Sequence, residues 1–221
     1  MENINDSVLR IVTMMLPFLL SLTIHETAHA WVANKLGDPT ARLMGRISLN
    51  PVAHLDPVGT IVFPIIGALS GFMFGWAKPV PVNPINLKNY REDIFWISLA
   101  GPLSNFILAF IFTFFFVLLA RFRNIFPPSF LVPMSQILDF GIIINLALCF
   151  FNLIPLGPLD GAKILNRFLP VNIAATLERL SAHGMIILMI LMFGGILGGI
   201  IRPPMLYFAN LFKNIAIMIL F

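Results

Sequence analysis

A long apolar segment near the start of the chain carries the ionisable residues that most constrain its fold. Residues 8–31 read VLRIVTMMLPFLLSLTIHETAHAW, in which Arg10 and Glu26 are the only residues of fixed charge. At about 1.5 Å per residue, a helix of this length crosses a hydrocarbon layer about 30 Å thick. Ionisable side chains at such depth cost on the order of 2–3 kcal/mol each, so a functional role is the default interpretation.

The run His-Glu-Thr-Ala-His inside this segment has the spacing of a metal site. His25 and His29 are four residues apart and therefore share one helical face, where both imidazoles can bind a single zinc ion. Glu26 lies beside them and can polarise the attacking water. A single histidine on an apolar helix is more often a packing residue, but the complete pattern within a membrane span predicts a zinc site.

The overall composition predicts an integral membrane protein. Hydrophobic residues make up 58% of the 221 residues, charged residues make up 11%, and the mean hydropathy is +0.92. Too little polar sequence remains for a separate soluble domain, so we expect one membrane-embedded domain over residues 1–221. The single Cys149 excludes an intramolecular disulfide and a cysteine-based zinc cluster. The scattered basic residues indicate topology signals and no nucleic-acid partner.

The hydropathy pattern predicts an all-α polytopic bundle of about five transmembrane helices. Residues 58–76 are apolar but short and are interrupted by glycines and a proline, so we predict a re-entrant or membrane-embedded loop there. Short β-strands are expected in 40–50 and 77–84. The predicted spans are residues 8–34, 94–120, 136–154, 185–201 and 205–221, the last two forming the C-terminal helices in about 185–221.

Asp160 is the strongest candidate for the third ligand that a catalytic zinc site requires. It ends the run NLIPLGPLD (152–160), an apolar segment broken by prolines and a glycine. Such breaks free backbone groups at membrane depth, which is tolerated where buried protein or a wet cavity satisfies them. The alternative is that Asp160 caps a helix or forms an Asp-Gly turn with Gly161.

These motifs resemble those of the site-2 proteases, the intramembrane zinc metalloproteases of peptidase family M50. The resemblance rests on HETAH (25–29), AGPLSN (100–105) and NLIPLGPLDG (152–161), and it covers a catalytic core of about residues 8–165. No part of the chain resembles the PDZ-like or CBS-like domains of larger members, so we expect the compact form of the family.

The resemblance implies an activity, a cofactor and a role for each matching residue. The expected activity is hydrolysis of peptide bonds within or near the transmembrane segments of membrane proteins, with one zinc ion per chain. The implied roles are zinc binding for His25, His29 and Asp160, general-base catalysis for Glu26, and substrate binding for Asn152, Pro155 and Asn105.

The zinc site also constrains the topology. The two histidines lie toward the end of the first span and Asp160 lies just beyond the third, so both ends must face one side of the membrane. The segment 58–76 therefore does not cross. The positive-inside rule places the active site toward the cytoplasm, in a cell membrane that we expect to be a bacterial inner or plasma membrane. The basic residues on the motif side are Lys35, Arg42, Arg46, Lys78, Lys88, Arg91, Lys163, Arg167 and Arg179, against Arg121, Arg123 and Arg202 opposite.

Several alternatives stay open at this level. His54, in NPVAHLDP (50–57), either approaches the zinc or gates the cavity, or it stabilises an interfacial turn, and the role of Asp56 is open. A membrane metal-ion transporter would use histidine and aspartate as a transit site, although such proteins usually contain repeats that are not visible here. The other alternative is a catalytically inactive relative that binds substrates. The complete set of catalytic residues argues against it. The sequence does not identify the substrate or the oligomeric state.

Overall fold

The computed structural model describes residues 4–70, 75–181 and 183–221. Helices dominate these ranges, and no β-strand occurs within them. The helices are α1 (Ile4–Lys35), α2 (Thr40–Leu43), α3 (Phe63–Ser70), α4 (Tyr90–Arg121), α5 (Pro128–Asn152), α6 (Asp160–Asn166), α7 (Val171–Ser181), α8 (Gly184–Phe193) and α9 (Ile196–Leu220).

Three long helices, α1, α4 and α5, pack against one another, and α9 packs against α4 and α5. Apolar side chains fill the α4–α5 contact, among them Phe112, Ile142 and Leu146, and Phe212 of α9 joins the same cluster. Apolar residues occur on all sides of these helices. Many of them therefore face outward, as a lipid environment requires.

Among the described residues, four helices are long and apolar enough to cross a membrane: α1 from Val8, α4, α5 and α9. The bent pair α7 and α8 is a fifth candidate. The prediction of an all-α, multi-pass membrane protein with about five spans is therefore confirmed.

The segment after residue 56 leaves the helical body and returns to the place where it began. A π-helical turn, Pro57–Val62, continues into α3. On the return, the Trp76 N–H donates to the Gly59 carbonyl at 3.0 Å. A Cβ at Gly59 would lie 2.4 Å from the Trp76 ring, so glycine permits the close contact. This return is what a re-entrant loop requires, although residues 71–74 of the predicted loop lie outside the described residues.

The β-strands predicted in 40–50 and 77–84 are wrong. The first of these segments begins with the short helix α2. Residues 77–83 lie outside any helix, and in the described part of the chain no strand pairs with them. Their backbone groups bond instead to side chains, among them Glu26, Asp38 and Arg46. Two prolines in this segment also lack the N–H that a strand ladder needs.

The C-terminal helices separate at a different place from the one predicted. The sequence pattern put the break at Pro203 and Pro204, but α9 continues through both prolines. The break lies instead between α8 and α9, where Gly195 has a φ of +71°. This left-handed conformation suits glycine and terminates a helix, whereas prolines within a membrane helix are tolerated when neighbouring groups satisfy the freed carbonyls.

Candidate metal centre

Three buried donor atoms from two helices converge in the protein interior. The Nε2 atoms of His25 and His29 are 3.0 Å apart, and Asp160 Oδ2 lies 3.3 Å from the first and 3.2 Å from the second. Within the described ranges, these residues form the group that could hold a metal ion. Ligand atoms about 2.0–2.2 Å from a tetrahedral zinc lie roughly 3.3–3.6 Å from one another. The two imidazoles and the carboxylate are ligands that suit zinc, and their distances of 3.0–3.3 Å lie within about 0.3 Å of the lower end of this range, with one tetrahedral position left for a further ligand.

A hydrogen bond from α4 fixes each imidazole of α1. His25 Nδ1 lies 2.6 Å from Asn105 Oδ1, and His29 Nδ1 lies 2.6 Å from the Ile97 carbonyl oxygen. Because both partners are acceptors, each Nδ1 carries the proton and donates it. The lone pair of each Nε2 then points to the third donor and is available to a metal.

Asp160 reaches the histidines from the start of α6. Leu159 occupies the N-cap position of this helix and no side chain caps it, so Asp160 is not the helix cap of the alternative interpretation. The next residue explains how α6 approaches so closely. A Cβ at Gly161 would lie 2.4 Å from the carbonyl oxygens of Leu153 and Ile154. Glycine therefore lets α6 pack against the preceding loop and brings the Asp160 carboxylate to the site.

Gly101 of α4 forms the wall of the site behind the two imidazoles. A Cβ at this position would lie 2.4 Å from His29 Nε2 and 2.6 Å from His25 Cε1. The bare backbone of Gly101 thus leaves the space that the rings and a bound metal occupy. Any larger residue would have to displace the rings.

Glu26 follows the first histidine and is contacted from the coil of residues 75–89, which precedes α4. Its side chain is half-buried, and the Val80 N–H donates to Glu26 Oε2 at 3.0 Å. A carboxylate beside the metal group, with one oxygen held by a backbone amide, is suited to accept a proton.

Arg46 fixes the piece of coil that contacts Glu26. Its guanidinium is buried, with 6% of the residue exposed, and it donates to the carbonyl oxygens of Ala53, Lys78 and Pro79, the last two at 2.8 Å. Since Pro79 directly precedes Val80, this clamp sets the position of the amide that bonds Glu26. One planar guanidinium thus joins two loops by several bonds, which a lysine could not reproduce.

Asp38 ties the far end of the same coil to the end of α1. Its carboxylate is buried and accepts from the Asn83 N–H at 2.7 Å, the Asn86 amide at 2.8 Å, and the N–H and hydroxyl of Thr40. Burial alone would raise the pKa of Asp38, but the hydrogen bonds from Thr40, Asn86 and Asn83 outweigh it and lower the pKa below its usual value.

His54 and Asp56 lie in the loop that packs beside α1, the helix that carries the HETAH motif. His54 is buried outside the metal group, with Nε2 2.9 Å from the Ser48 carbonyl oxygen and 3.3 Å from Thr27 Oγ1. It therefore joins the loop to α1 next to Glu26. Asp56 accepts from the N–H of Gly59 and caps the π-helical turn. The gating role of His54 stays a prediction.

Asn152 and Pro155 lie at the other side of the loop that leads to Asp160. Asn152 is the last residue of α5, and its side-chain amide donates to the Leu148 carbonyl at 2.9 Å. Pro155 is exposed in the loop between α5 and α6. Neither side chain belongs to the metal group, and their role in substrate binding stays a prediction. Asn105, in contrast, is fully buried and contacts His25, one of the three candidate ligands, and its role in substrate binding likewise stays a prediction.

Sequence reasoning missed the residues that support the site. Gly101 lies within the AGPLSN motif but was given no role of its own, Arg46 was counted as a topology signal, and Val80 acts through its backbone N–H. Asn145 does have a signal in the sequence, because it is a polar residue in an apolar span, and it faces the protein interior.

Comparison with known proteins decides the family. A protein-family model described as "Peptidase family M50" matches residues 13–125 and 128–194, well over half of the chain. The chain belongs to peptidase family M50. This assignment confirms the resemblance to the site-2 proteases that the sequence motifs indicated.

The similar proteins named below are all described as putative zinc metalloproteases. The chain is 40% identical over 193 residues to the "Putative zinc metalloprotease YwhC" of Bacillus subtilis, covering 87% of this chain and 85% of the relative. It is 30% identical over 177 residues to the "Putative zinc metalloprotease Rip2" of Mycolicibacterium smegmatis, covering 79% and 64%. It is 39% identical over 104 residues to the "Putative zinc metalloprotease MJ0611" of Methanocaldococcus jannaschii, covering 46% and 50%. No solved structure matches the chain. These relatives support a zinc metalloprotease.

Proposed function

We propose that this M50 protein is an intramembrane endopeptidase that hydrolyses peptide bonds within or near the transmembrane segments of other membrane proteins. One observation carries the proposal. The ligand group of His25, His29 and Asp160, with Glu26 beside it, is built on helices of which α1 is itself a candidate membrane span. A hydrolytic site built there suits a substrate that is also in the membrane.

The residues of the site divide the chemistry between them. A zinc ion bound by the two histidines and Asp160 would supply Lewis acidity, polarising the scissile carbonyl and lowering the pKa of water. Glu26 accepts the proton of the attacking water and returns it to the leaving amine. The Val80 N–H bonded to Glu26 Oε2 keeps the carboxylate oriented while it does so.

The substrate must be locally unwound to be cut. A stable helix uses its carbonyls in hydrogen bonds to the residue four positions later, so they are not free to react. The loop between α5 and α6 directly precedes Asp160 and carries backbone groups outside regular helix. We assign Asn152 and the backbone near Pro155 to pairing with the unwound segment, in the manner of an added strand.

The orientation in the membrane follows from the charges around the site. Basic residues flank the ends of α1, α4 and α6 that lie nearest the metal group, and positively charged loops are retained in the cytoplasm. We therefore assign the site to the cytoplasmic side of a cell membrane, with a transmembrane protein as substrate.

The decisive experiment measures zinc content and cleavage of a model transmembrane substrate by the purified protein, with Glu26→Gln as the matched variant. We expect about one zinc per chain in both proteins and a loss of cleavage in Glu26→Gln of at least about 100-fold, because only the proton acceptor is removed. In the same assay, Asn152→Ala should reduce cleavage and leave the zinc content unchanged.

Two results would count against the proposal. If wild type binds zinc and cleaves none of several transmembrane substrates, a transport or binding function takes its place, and metal flux into vesicles becomes the measurement. If Glu26→Gln cleaves as well as wild type, Glu26 is not the base. Equal loss of zinc and cleavage in Asn152→Ala would remove its assignment to the substrate.

A further inference from the structure

Asn145 is a polar side chain at a depth where polar groups are costly. It lies in the middle of α5, a candidate membrane span, and none of its surface is exposed. Its neighbours along the buried face of the helix are apolar, including Ile142 and Leu146. An amide at this place needs hydrogen-bond partners and, in a membrane, commonly serves a function. The zinc site and the proposed chemistry do not by themselves account for it.

The hydrogen bonds of Asn145 belong to a chain of bonds that joins α5, α4 and α1, and the donors and acceptors in this chain are fixed. Its Nδ2 donates to the Gly141 carbonyl of the same helix at 2.8 Å, so its Oδ1 faces away from that carbonyl. Oδ1 accepts from Asn105 Nδ2 of α4 at 2.9 Å, and Asn105 Nδ2 also donates to the Ser21 carbonyl of α1 at 3.2 Å. Backbone carbonyls can only accept, so both amides are held with their nitrogens toward them.

The orientation of Asn105 decides which tautomer His25 adopts. With its nitrogen engaged, Asn105 presents Oδ1 to His25 Nδ1, 2.6 Å away, and the proton must lie on that ring nitrogen. A reversed Asn105 amide would present N–H groups to Nδ1 and place the ring proton on Nε2. Nε2 is the atom that faces His29 and Asp160, and in protonated form it cannot bind a metal.

His29 shows why Asn145 is needed for one ligand only. The partner of His29 Nδ1 is the Ile97 backbone carbonyl, which accepts in any orientation. His25 depends on a side-chain amide, which can turn over. The Ser21 carbonyl accepts from that amide at 3.2 Å, and Asn145 Oδ1 adds a second, shorter bond at 2.9 Å that holds it in the same orientation.

We propose that Asn145 is a positioning residue that fixes the Asn105 amide and thereby keeps His25 in the tautomer that binds zinc. This inference rests on the zinc site of the proposed function. Outer partners of metal-bound histidines typically change metal affinity by about 10-fold to 100-fold, and Asn145 is one bond further out. A loss of zinc affinity near about 10-fold is therefore expected when its amide is removed.

The test compares Asn145→Leu, which keeps a similar volume and removes the hydrogen bonds, with Thr113→Val. Thr113 is equally buried in α4, and its hydroxyl donates to the Ala109 carbonyl of its own helix. Zinc affinity is measured on purified protein by competition with a chelator, alongside thermal unfolding of the zinc-free form. We expect weaker zinc binding in Asn145→Leu alone, with similar unfolding temperatures for the two variants. Equal zinc affinity in Asn145→Leu and wild type overturns the proposal.

Two further measurements separate positioning from general stability. If Asn145 acts through Asn105, the losses of Asn105→Leu and Asn145→Leu should not add in the double variant, and additive losses would contradict the relay. Nitrogen-15 spectra of histidine in zinc-free wild type at pH 8 should show His25 protonated at Nδ1, with Nε2 protonation appearing in Asn145→Leu. A wild-type ring that carries its proton at Nε2 and none at Nδ1 sinks the inference, whether or not the protein proves to be a protease.

Discussion

Two of the candidate metal ligands, His25 and His29, and the candidate base Glu26 belong to the same short motif, but different parts of the molecule hold them. The rings of His25 and His29 are fixed by acceptors on α4, within the packed helices. The carboxylate of Glu26 is fixed by a backbone N–H of the coil of residues 75–89, which precedes α4. One side of the site therefore depends on helix packing and the other on a loop.

This difference predicts that zinc binding and turnover can be separated. Helices that pack over many turns hold their relative positions closely, so the ligand geometry is present before a substrate arrives. A coil held by a few side-chain bonds can shift at lower cost, and the coil that contacts Glu26 is of this kind. Changes in the helices should affect the metal first, whereas changes in the coil should affect catalysis first.

The largest effect is expected from a single methyl group on the helix side. In Gly101→Ala the new Cβ would lie 2.4 Å from His29 Nε2, far inside contact distance, and both rings would have to move. We expect zinc affinity to fall by about 100-fold or more, at or beyond the upper limit for changes around a metal site. Cleavage should be lost with it. Zinc competition against a chelator gives the measurement.

Gly198→Ala in α9 is the matched control for this change. A Cβ at Gly198 meets no atom within 4 Å, so the same substitution in another membrane helix should leave zinc binding intact. Wild-type zinc affinity in Gly101→Ala would show that the ligands are less constrained by α4 than the structure indicates. The proposed division between helix side and coil side would then have no basis.

An intermediate effect of the opposite kind is expected on the coil side. Arg46→Gln removes the donors that join the carbonyls of Lys78 and Pro79 to the neighbouring loop and frees the Val80 amide that bonds Glu26. We expect the cleavage rate to fall by about 10-fold or more, on the scale of lost base positioning, while zinc content stays near one per chain. The ratio of activity to bound zinc is the quantity to compare.

Arg42→Gln provides the control because Arg42 carries the same charge nearby but is exposed. It should leave both activity and zinc unchanged, which separates the Arg46 hydrogen bonds from a general effect of charge. If Arg46→Gln lost zinc in proportion to activity, the coil would be supporting the ligands as well, and the two sides of the site could not be treated separately.

The sequence was sufficient for the residues whose chemistry depends on short spacing. His25, Glu26 and His29 lie within one helical turn or so, where the period of the helix alone places them. Asp160 could be found because a broken apolar segment with a carboxylate is costly in a membrane without a purpose. The prediction that residues 58–76 do not cross the membrane came from counting crossings between these ligands, which is a constraint of topology, and it stays a prediction.

The supporting residues were beyond sequence reasoning because they act across the fold. Val80 contributes a backbone N–H, which has no sequence signature, and Arg46 looks like any other basic loop residue until its three carbonyl partners are known. The strand prediction for 77–84 was wrong for a related reason. Extended backbone is a local preference, but a strand needs a partner, and here side chains from other segments satisfy the backbone instead.

The smallest effect is expected from Asp38, at the far end of the coil. Asp38→Asn removes the charge and sets an amide N–H against donors such as the Asn83 N–H, so we expect a loss of about 1–3 kcal/mol in the free energy of unfolding at pH 7. Activity should change less than in Arg46→Gln, because Asp38 does not contact the carbonyls beside Val80. Denaturation in detergent at a series of pH values gives the measurement.

The stability lost in Asp38→Asn should depend on pH, whereas the loss from a simple packing defect would not. The folded protein holds the Asp38 pKa below its ordinary value, so the folded state prefers the carboxylate. Its stabilisation is fully present above the unfolded-state pKa of about 4 and disappears as the pH falls through the lower folded-state value. The stability difference between wild type and Asp38→Asn should therefore be constant near neutral pH and shrink below about pH 4. A difference that stayed constant to acid pH would mean that Asp38 acts through its shape, and that the coil side of the site does not depend on this charge.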